Sequence, residues 1–404
     1  MDNKIENKKL IILLIVCILY SFVFAFVLSR QSSLIIRSDF FTRWYATEKL
    51  LSEGRSIYDP LNGEEVVSLQ VLWYDQIEGS FFYPPYLLIF TLPLGFFSYS
   101  IAHFIWLIFV QLSLILSIWL MRGLMNWPKT TNSFTVFVFL SLFFIPTLQL
   151  TIWGQFNGIG ILGLVLAYRS LQRQQYRSAG FWTLGLIMKP QNMTFTVAFL
   201  LIWAASKRER WPFIKSFMIG AIAFWGFAEI FEPNWMTSFI KGVQGYSGYL
   251  QPLPVIEKLS GIDNIIPSFV LIFITLIVFI IKRDFNPGST VFAGMVLLSM
   301  GIWWMVVPVL GMFHLVALPA AMILLVSAIE THNPKHAILF IRSYIFLFII
   351  GLVGFIYGLS APDLYGLHIA LAEGAYKIAG VILLTTGAFY LCFSPNKLLI
   401  EKSN

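Results

Sequence analysis

From Leu10 to Leu28 the chain carries no charged side chain, and apolar stretches of this kind return along its whole length. Such a stretch is as long as a helix needs to cross a bilayer, which takes about 20 residues. Hydrophobic residues make up 58% of the chain and charged residues 12%, with a mean hydropathy of +0.79. So few polar residues cannot cover a soluble core of this size, and the sequence predicts an all-α polytopic membrane protein.

The apolar stretches together predict about twelve transmembrane helices. They cover residues 10–28, 101–121, 134–150, 157–169, 178–188, 192–206, 213–230, 266–281, 289–307, 313–329, 338–358 and 373–392. The stretches 157–169 and 178–188 are short for a crossing, and they require either a thinner bilayer or broken helices inside the protein. The segment Pro84–Gly95 contains three prolines, and we interpret it as an interfacial or re-entrant helix on the outer face.

Lysine and arginine accumulate on the cytoplasmic side of membrane proteins, and their positions orient this chain. With both termini in the cytoplasm, 18 of the 27 basic residues but only 6 of the 20 acidic residues fall inside. The net charge of +7 is therefore explained by the basic residues of the predicted cytoplasmic loops. It gives no reason to expect a nucleic-acid partner. This orientation predicts a multi-pass plasma-membrane protein with one integral membrane domain, residues 1–404. Residues 29–100 form its first outer loop, with amphipathic helices, and residues 232–265 form its second.

The sequence contains no pattern that is typical of a cofactor or metal site. Cys17 and Cys392 both fall within apolar stretches, where neither a disulfide nor a metal ligand is expected. There is no zinc or haem spacing, no Walker loop and no glycine-rich dinucleotide loop. The sequence therefore predicts no cofactor and no metal. A transferase without a nucleotide-binding domain would have to take its donor from the membrane itself.

The polar segment Arg37–Tyr45 follows the first apolar stretch and opens the longest polar part of the chain. Its carboxylate, Asp39, would lie at the outer surface of the membrane among basic and aromatic neighbours, which suits a general base. The alternative is a structural role, in which Asp39 caps the amphipathic run from Phe40 to Leu51. The two roles are compatible, since capping would orient the carboxylate.

Five short motifs follow one another in the first half of the chain. They are Asp39-Phe-Phe-x-x-Trp-Tyr-Ala46, Gly54-Arg-Ser-Ile-Tyr-Asp-Pro60, Phe82-Tyr-Pro-Pro85, Gly154-Gln-Phe-Asn157, and Ala179-Gly180 with Lys189-Pro190. In this order they resemble glycosyltransferase family 87, whose members are multi-span enzymes of the GT-C architecture that use polyprenyl-phosphate sugars. The second half of the chain resembles this family only in its hydropathy and in a late histidine, His314.

The resemblance implies a membrane glycosyltransferase of the cell envelope. It would move a sugar, mannose by family precedent, from a polyprenyl-phosphate donor to a glycolipid or glycan acceptor among the membrane lipids. Asp39 would be the general base, and the donor phosphate and sugar would be bound by Arg43, Tyr83, Gln155, Asn157, Lys189 and His314. A lipid phosphate leaves as an anion without needing a proton, so one carboxylate suffices and the anomeric carbon is inverted. The predicted orientation places all of these residues on the outer face.

Several of these side chains also have a purely structural interpretation. Lys189 would extend to the outer interface, where its ammonium group reaches water. His314 would bridge two helices, and Arg43 would be an ordinary interfacial arginine. Gln155 and Asn157 would cap the helix that follows them.

Two other functions are compatible with the same hydropathy profile. A lipid-linked glycan transporter or flippase is expected to have duplicated halves, and no internal repeat is visible in this sequence. An O-antigen ligase-like enzyme would have its large outer loop late in the chain, whereas here the long loop comes first. Both stay open as alternatives to the family 87 type of transferase.

Overall fold

The structure is a computed structural model, and it describes residues 2–30, 38–70, 81–125, 127–250, 254–261, 265–307, 311–360 and 365–399. Its named elements are all helices, and within these residues one isolated antiparallel bridge joins Ser289 to Leu398. The all-α class predicted from the apolar stretches is confirmed. Arg37, which opens the polar segment, lies outside the described residues.

The described residues form eighteen α-helices, numbered in chain order. They are α1 Asp2–Arg30, α2 Asp39–Glu53, α3 Pro60–Gln70, α4 Leu88–Gly95, α5 Tyr99–Met125, α6 Thr131–Leu142, α7 Ile145–Ile152, α8 Asn157–Gln172, α9 Tyr176–Ile187, α10 Pro190–Ala205, α11 Trp211–Phe231, α12 Trp235–Leu250, α13 Val255–Ser260, α14 Ile266–Ile281, α15 Thr290–Val306, α16 Leu318–Glu330, α17 Pro334–Ser360 and α18 Tyr365–Phe393. Short 3₁₀ turns lie at Pro85–Leu87, Arg208–Arg210 and Met312–Ala317. Each predicted span lies on one or two of these helices.

Within the described residues, five helical segments are long and apolar enough to cross a membrane. They are Glu6–Arg30, Tyr99–Met125, Arg208–Phe231, Pro334–Gly354 and Tyr376–Phe393. A sixth crossing results if α6 and α7, which are bent by 51° relative to each other, form one broken span. These helices agree with a multi-pass membrane protein. Twelve crossings, the GT-C architecture and cytoplasmic termini stay predictions.

Side-chain exposure separates a peripheral surface from a central core. Helix α14 exposes Phe273, and α1 exposes Leu19, as expected for apolar side chains that face lipid tails. Helix α15, in contrast, is buried along almost its whole length. Gly294 lets α18 approach this helix closely, because a Cβ at this glycine would lie 2.7 Å from the Cβ of Leu391. The core therefore contains a helix that is apolar on every side.

Helix α2 carries the predicted base and is amphipathic, as the sequence predicts. Its buried residues Phe40, Arg43 and Thr47 recur every three or four positions and therefore lie on one face. This face packs against α4, where the Thr47 hydroxyl donates a hydrogen bond of 2.9 Å to the Thr91 hydroxyl. The helix ends at Gly54, whose φ of +67° is the left-handed conformation of a helix C-cap.

The start of α2 corrects the capping interpretation of Asp39. Ser38 holds the N-cap position, and Asp39 is the first residue of the helix itself. The dipole of α2 favours a negative charge at this position. The Oδ2 atom of Asp39 accepts a hydrogen bond from Gln155, which belongs to a different part of the fold.

The segment predicted as an interfacial or re-entrant helix forms a short element. The 3₁₀ turn Pro85–Leu87 leads into α4, which has eight residues and is too short to cross a bilayer alone. The Tyr86 hydroxyl donates a hydrogen bond of 2.8 Å to the carbonyl of Ile187, at the end of α9. This contact fixes the chain that follows Tyr83, whereas the depth of the segment in a membrane stays a prediction.

Candidate functional site

Four parts of the fold bring candidate side chains together at one point. Asp39 and Arg43 lie on consecutive turns of α2, and Tyr83 lies just before the first 3₁₀ turn. Gln155 lies in the link between α7 and α8, and Lys189 is the N-cap residue of α10. Hydrogen bonds connect all five side chains. These hydrogen bonds therefore join five of the seven residues that the resemblance singles out.

Arg43 lies at the centre of this group, and its side chain is only 1% exposed. Its Nη1 donates to the Gly154 carbonyl at 3.2 Å, and its Nη2 donates to the Tyr83 hydroxyl at 2.8 Å and to Gln155 Oε1 at 3.4 Å. The guanidinium carbon lies 4.4 Å from the ring centroid of Tyr83 and 5.1 Å from that of Phe156, which is cation–π range. The buried Nε has no hydrogen-bond partner among the described residues.

Gln155 links the carboxylate to both cations. Its Nε2 donates to Asp39 Oδ2, and its Oε1 accepts from Lys189 Nζ at 2.7 Å as well as from Arg43. Because lysine and arginine can only donate, the oxygen of this amide has to face them and the nitrogen has to face Asp39. One buried amide therefore fixes the relative positions of three charged groups.

Lys189 is only 3% exposed, so the interpretation of a lysine that extends to the interface is wrong. Its Nζ lies 5.8 and 5.6 Å from the centroids of the Tyr83 and Phe156 rings. Burial lowers the pKa of Lys189 well below its usual range, the Arg43 guanidinium lowers the pKa further, and the Asp39 carboxylate raises it. An anion bound beside Nζ would favour the charged ammonium form for the same electrostatic reason.

The charged groups of the site differ in their access to solvent. The Asp39 side chain is 30% exposed, and Arg43 Nη2 lies 3.8 Å from its Oδ2 atom. The two cations are buried, so the carboxylate lies at the open end of the site and the positive charges lie beneath it. When Lys189 is protonated, two cations against one carboxylate leave an excess of positive charge in a place where charge is poorly solvated.

An aromatic contact with membrane helix α5 fixes the backbone that carries Asp39. The ring of the next residue, Phe40, stacks on Trp106 of α5, with 5.1 Å between the ring centroids and 11° between the planes. The Trp106 indole N–H donates to the Gly154 carbonyl at 2.7 Å, and the same oxygen accepts from Arg43. The Gly154 carbonyl thus accepts one hydrogen bond from Arg43 of the site and one from Trp106 of α5.

Replacing Gly154 by Ala is expected to destabilise the protein by about 2 kcal/mol or more, through backbone strain and overpacking together. Gly154 has a φ of +61°, and a Cβ there would lie 2.7 Å from the Cβ of Phe40. Thermal unfolding of the purified protein measures the effect. Gly54→Ala is the matched control, because Gly54 has a φ of +67° but nothing within 4 Å of its Cβ position. Equal melting temperatures for the two variants would contradict a close contact with Phe40.

A second set of residues holds Tyr83 from the other side. The Tyr58 hydroxyl donates to the Tyr83 carbonyl at 2.6 Å. The turn before Tyr58 is held by the buried carboxylate of Glu232, which accepts hydrogen bonds from the Ser56 hydroxyl and, at 3.1 Å, from the Ile57 N–H. Sequence reasoning missed this role of Glu232. A lone glutamate in a polar loop has no pattern that distinguishes a buried acceptor from a solvated side chain.

The remaining two predicted residues are His314 and Asn157, and His314 lies within electrostatic range of the Lys189 ammonium group. His314 lies in the third 3₁₀ turn and is 4% exposed, and its Nδ1 lies 2.9 Å from the Gly311 carbonyl. Since that carbonyl can only accept, Nδ1 donates to it. Asn157 is the buried first residue of α8. The N-cap position of α8 is held by Phe156, so the interpretation that Gln155 or Asn157 caps this helix is wrong.

The structure offers no alternative centre built on a metal within the residues that it describes. No group of three or more histidine, cysteine, aspartate or glutamate side chains there is arranged to hold a metal ion. Cys17 and Cys392 are both buried and free.

Comparison of the chain with protein-family models, with curated proteins and with solved structures finds no match. The functional argument therefore depends on the geometry and charge of the site, together with the motifs of the sequence.

Proposed function

We propose that this protein is a membrane glycosyltransferase that moves a sugar from a polyprenyl-phosphate donor to a glycolipid or glycan acceptor. The observation that carries the proposal is the distribution of charge in the site. The Asp39 carboxylate is partly exposed, whereas the Arg43 and Lys189 side chains are buried. Mannose is the sugar that the resemblance to glycosyltransferase family 87 favours. The proposal includes a GT-C architecture and a site on the outer face of the plasma membrane.

The buried end of the site suits a phosphate group. Arg43 and Lys189 bring two positive charges, and the unpaired Arg43 Nε is a donor that a phosphate oxygen would satisfy. An unsatisfied buried donor costs about 1–3 kcal/mol, so an anion that accepts from it gains affinity for that reason. Hydrogen bonds between a guanidinium and a phosphate are among the stronger ones in proteins. We therefore assign the phosphate of the donor to this end.

The open end of the site suits the acceptor. Asp39 is reached from solvent, its Oδ2 atom accepts a hydrogen bond from Gln155 Nε2, and the same atom lies 3.8 Å from Arg43 Nη2. In the proposed reaction Asp39 takes the proton of an acceptor hydroxyl as that oxygen bonds to the anomeric carbon. The bond from this carbon to the phosphate oxygen breaks, and the electron pair leaves with the phosphate. The product is an inverted glycoside, a lipid phosphate anion and a protonated Asp39.

The proposal is tested by assaying the purified protein in sealed liposomes. The liposomes contain polyprenyl-phosphate mannose together with a lipid extract as the source of acceptors. Mass spectrometry is expected to show a lipid or glycan heavier by one hexose, and an equal amount of polyprenyl phosphate. Movement of the donor across the bilayer without any covalent product would overturn the transferase and would support a transporter instead.

A further inference from the structure

A second polar surface lies one helix length from the Asp39 site. Helices α8 and α10 both begin at the site, next to Gln155 and at Lys189, and each has 16 residues. At about 1.5 Å per residue α8 is about 24 Å long, whereas α10 contains a kink at Met193. The links that follow α8 and α10 are rich in arginine and lysine.

Arg210 ties one of these links to the link between α14 and α15. It is buried, and its Nη1 donates to the carbonyls of Trp203 at 3.0 Å and of Arg283 at 3.1 Å. Its Nη1 also donates to the Ser206 hydroxyl at 2.9 Å, and its Nη2 donates to the Asp284 carbonyl at 3.4 Å. The guanidinium thus joins two segments that are about 75 residues apart in the sequence by bonding to their backbone carbonyls. It bonds to the carbonyl of Asp284 and not to its carboxylate, which is exposed.

A second contact adds the first turn of α9, which follows the link after α8. The Ser216 hydroxyl of α11 donates to the Arg177 carbonyl at 2.7 Å. One turn further on, Gly180 lies against the backbone of Phe213, with no room for a side chain between them. The three links therefore form one continuous surface, which we call the basic patch.

The basic patch carries a large excess of positive charge. Its exposed cations are Arg173, Arg177, Lys207, Arg208, Lys215 and Arg283, and its exposed carboxylates are Glu209 and Asp284. None of these six cations forms an ion pair within the described part of the chain. Like charges at such spacing repel one another, so an anionic partner would relieve the repulsion.

Exposed aromatic side chains border the basic patch. Trp211, which directly follows Arg210, is 50% exposed, and Phe181 and Trp182 are exposed one turn after Arg177. Tryptophan at this kind of boundary is typical of the interface between lipid headgroups and hydrocarbon. Cations beside exposed tryptophan are the arrangement expected where a protein meets lipid headgroups.

We propose that the basic patch binds the phosphate headgroups of anionic membrane lipids. Its cations form a rigid arrangement, because Arg210 and Ser216 hold the three links together. The bordering aromatic residues favour a ligand that is anchored in the bilayer over a soluble phosphate. This inference does not depend on the proposed glycosyl transfer.

The test compares charge removal on the basic patch with equal charge removal elsewhere. The patch variant is the triple change Arg173→Gln, Arg177→Gln and Arg208→Gln. The matched control is the triple change Lys8→Gln, Lys335→Gln and Arg342→Gln, at exposed cations on α1 and α17. Each detergent-purified protein is titrated with phosphatidylglycerol or phosphatidylcholine, and the rise in melting temperature is followed.

The wild-type protein and the control are expected to be stabilised by phosphatidylglycerol well above phosphatidylcholine. In the patch variant the half-saturating concentration of phosphatidylglycerol should rise by about tenfold to 100-fold, because each cation near an anionic surface contributes about fivefold in affinity. A variant with lysine at the same three positions keeps the charge and should behave like the wild type, which excludes misfolding as the cause. Equal losses in the patch variant and the control, or an equal stabilisation by inorganic phosphate, would overturn the proposal.

Discussion

Replacing Asp39 by Asn is expected to lower the rate of sugar transfer by about two to four orders of magnitude, which is the usual contribution of a positioned general base. The amide has the shape of the carboxylate and still accepts the hydrogen bond from Gln155, but it cannot take up the acceptor proton. Donor affinity should be unchanged or higher, because Arg43 and Lys189 lose a competing negative charge. Initial rates at saturating donor, together with equilibrium binding of the donor, measure the two effects separately.

Asp59→Asn is the matched control for this change. The Asp59 carboxylate accepts a hydrogen bond of 2.9 Å from the Leu61 N–H at the start of α3, and an amide oxygen can do the same. Transfer by this variant should stay within about twofold of the wild type, as for most surface substitutions. Full activity in the Asp39 variant, or equal losses in both variants, would rule out Asp39 as the base.

Replacing Arg43 by Lys is expected to weaken donor binding by about tenfold to 100-fold. The substitution keeps the positive charge, but a single ammonium nitrogen cannot reproduce the separate bonds to Gly154, Tyr83 and Gln155 or present the free Nε. Hydrogen bonds to charged groups contribute about 1.5–3 kcal/mol, which corresponds to this range of affinity. Equilibrium binding of the donor, alongside a melting curve of each variant, measures the change.

Arg55→Lys makes the same substitution at an arginine that is not among the five connected side chains and whose side chain is 16% exposed. Arg55 pairs with Glu53 and Glu65, both of which are open to solvent, and such pairs contribute little. Donor affinity of this variant is expected to match the wild type within about twofold. If Arg43→Lys lowers the melting temperature but keeps the wild-type donor affinity, Arg43 is a structural residue and does not bind the phosphate.

Hydropathy predicted where the helices of this fold begin and end better than it predicted which of them face outward and which lie in the core. The stretch 266–281 coincides with α14, and the stretch 289–307 differs from α15 by one residue at each end. Yet α14 faces outward, whereas α15 is buried in the core, although both are apolar all round. Apolar composition indicates that a segment avoids water, but it does not distinguish lipid from protein as its surroundings. The number of crossings could not be fixed for this reason.

The sequence also indicated where the charged part of the site would lie but not how it is held together. Asp39 was singled out by its polar segment and the resemblance to family 87, Arg43 by its position beside Asp39, and Lys189 because charges beside apolar stretches are costly and tend to be functional. Tyr58 and Glu232 act through backbone and side-chain hydrogen bonds that only the folded chain creates. Trp106 looked like one more membrane aromatic, and its bond to Gly154 depends on a fold contact that no local pattern encodes.

The shared carbonyl of Gly154 has a mechanical consequence. Helix α5 has 27 residues and is therefore about 40 Å long, whereas the hydrocarbon core is about 30 Å thick. A helix that exceeds the bilayer in this way adjusts its tilt to the local thickness. Trp106 of α5 and Arg43 of the site bond to one oxygen atom. A change in the tilt of α5 would therefore move the oxygen atom that positions the Arg43 guanidinium.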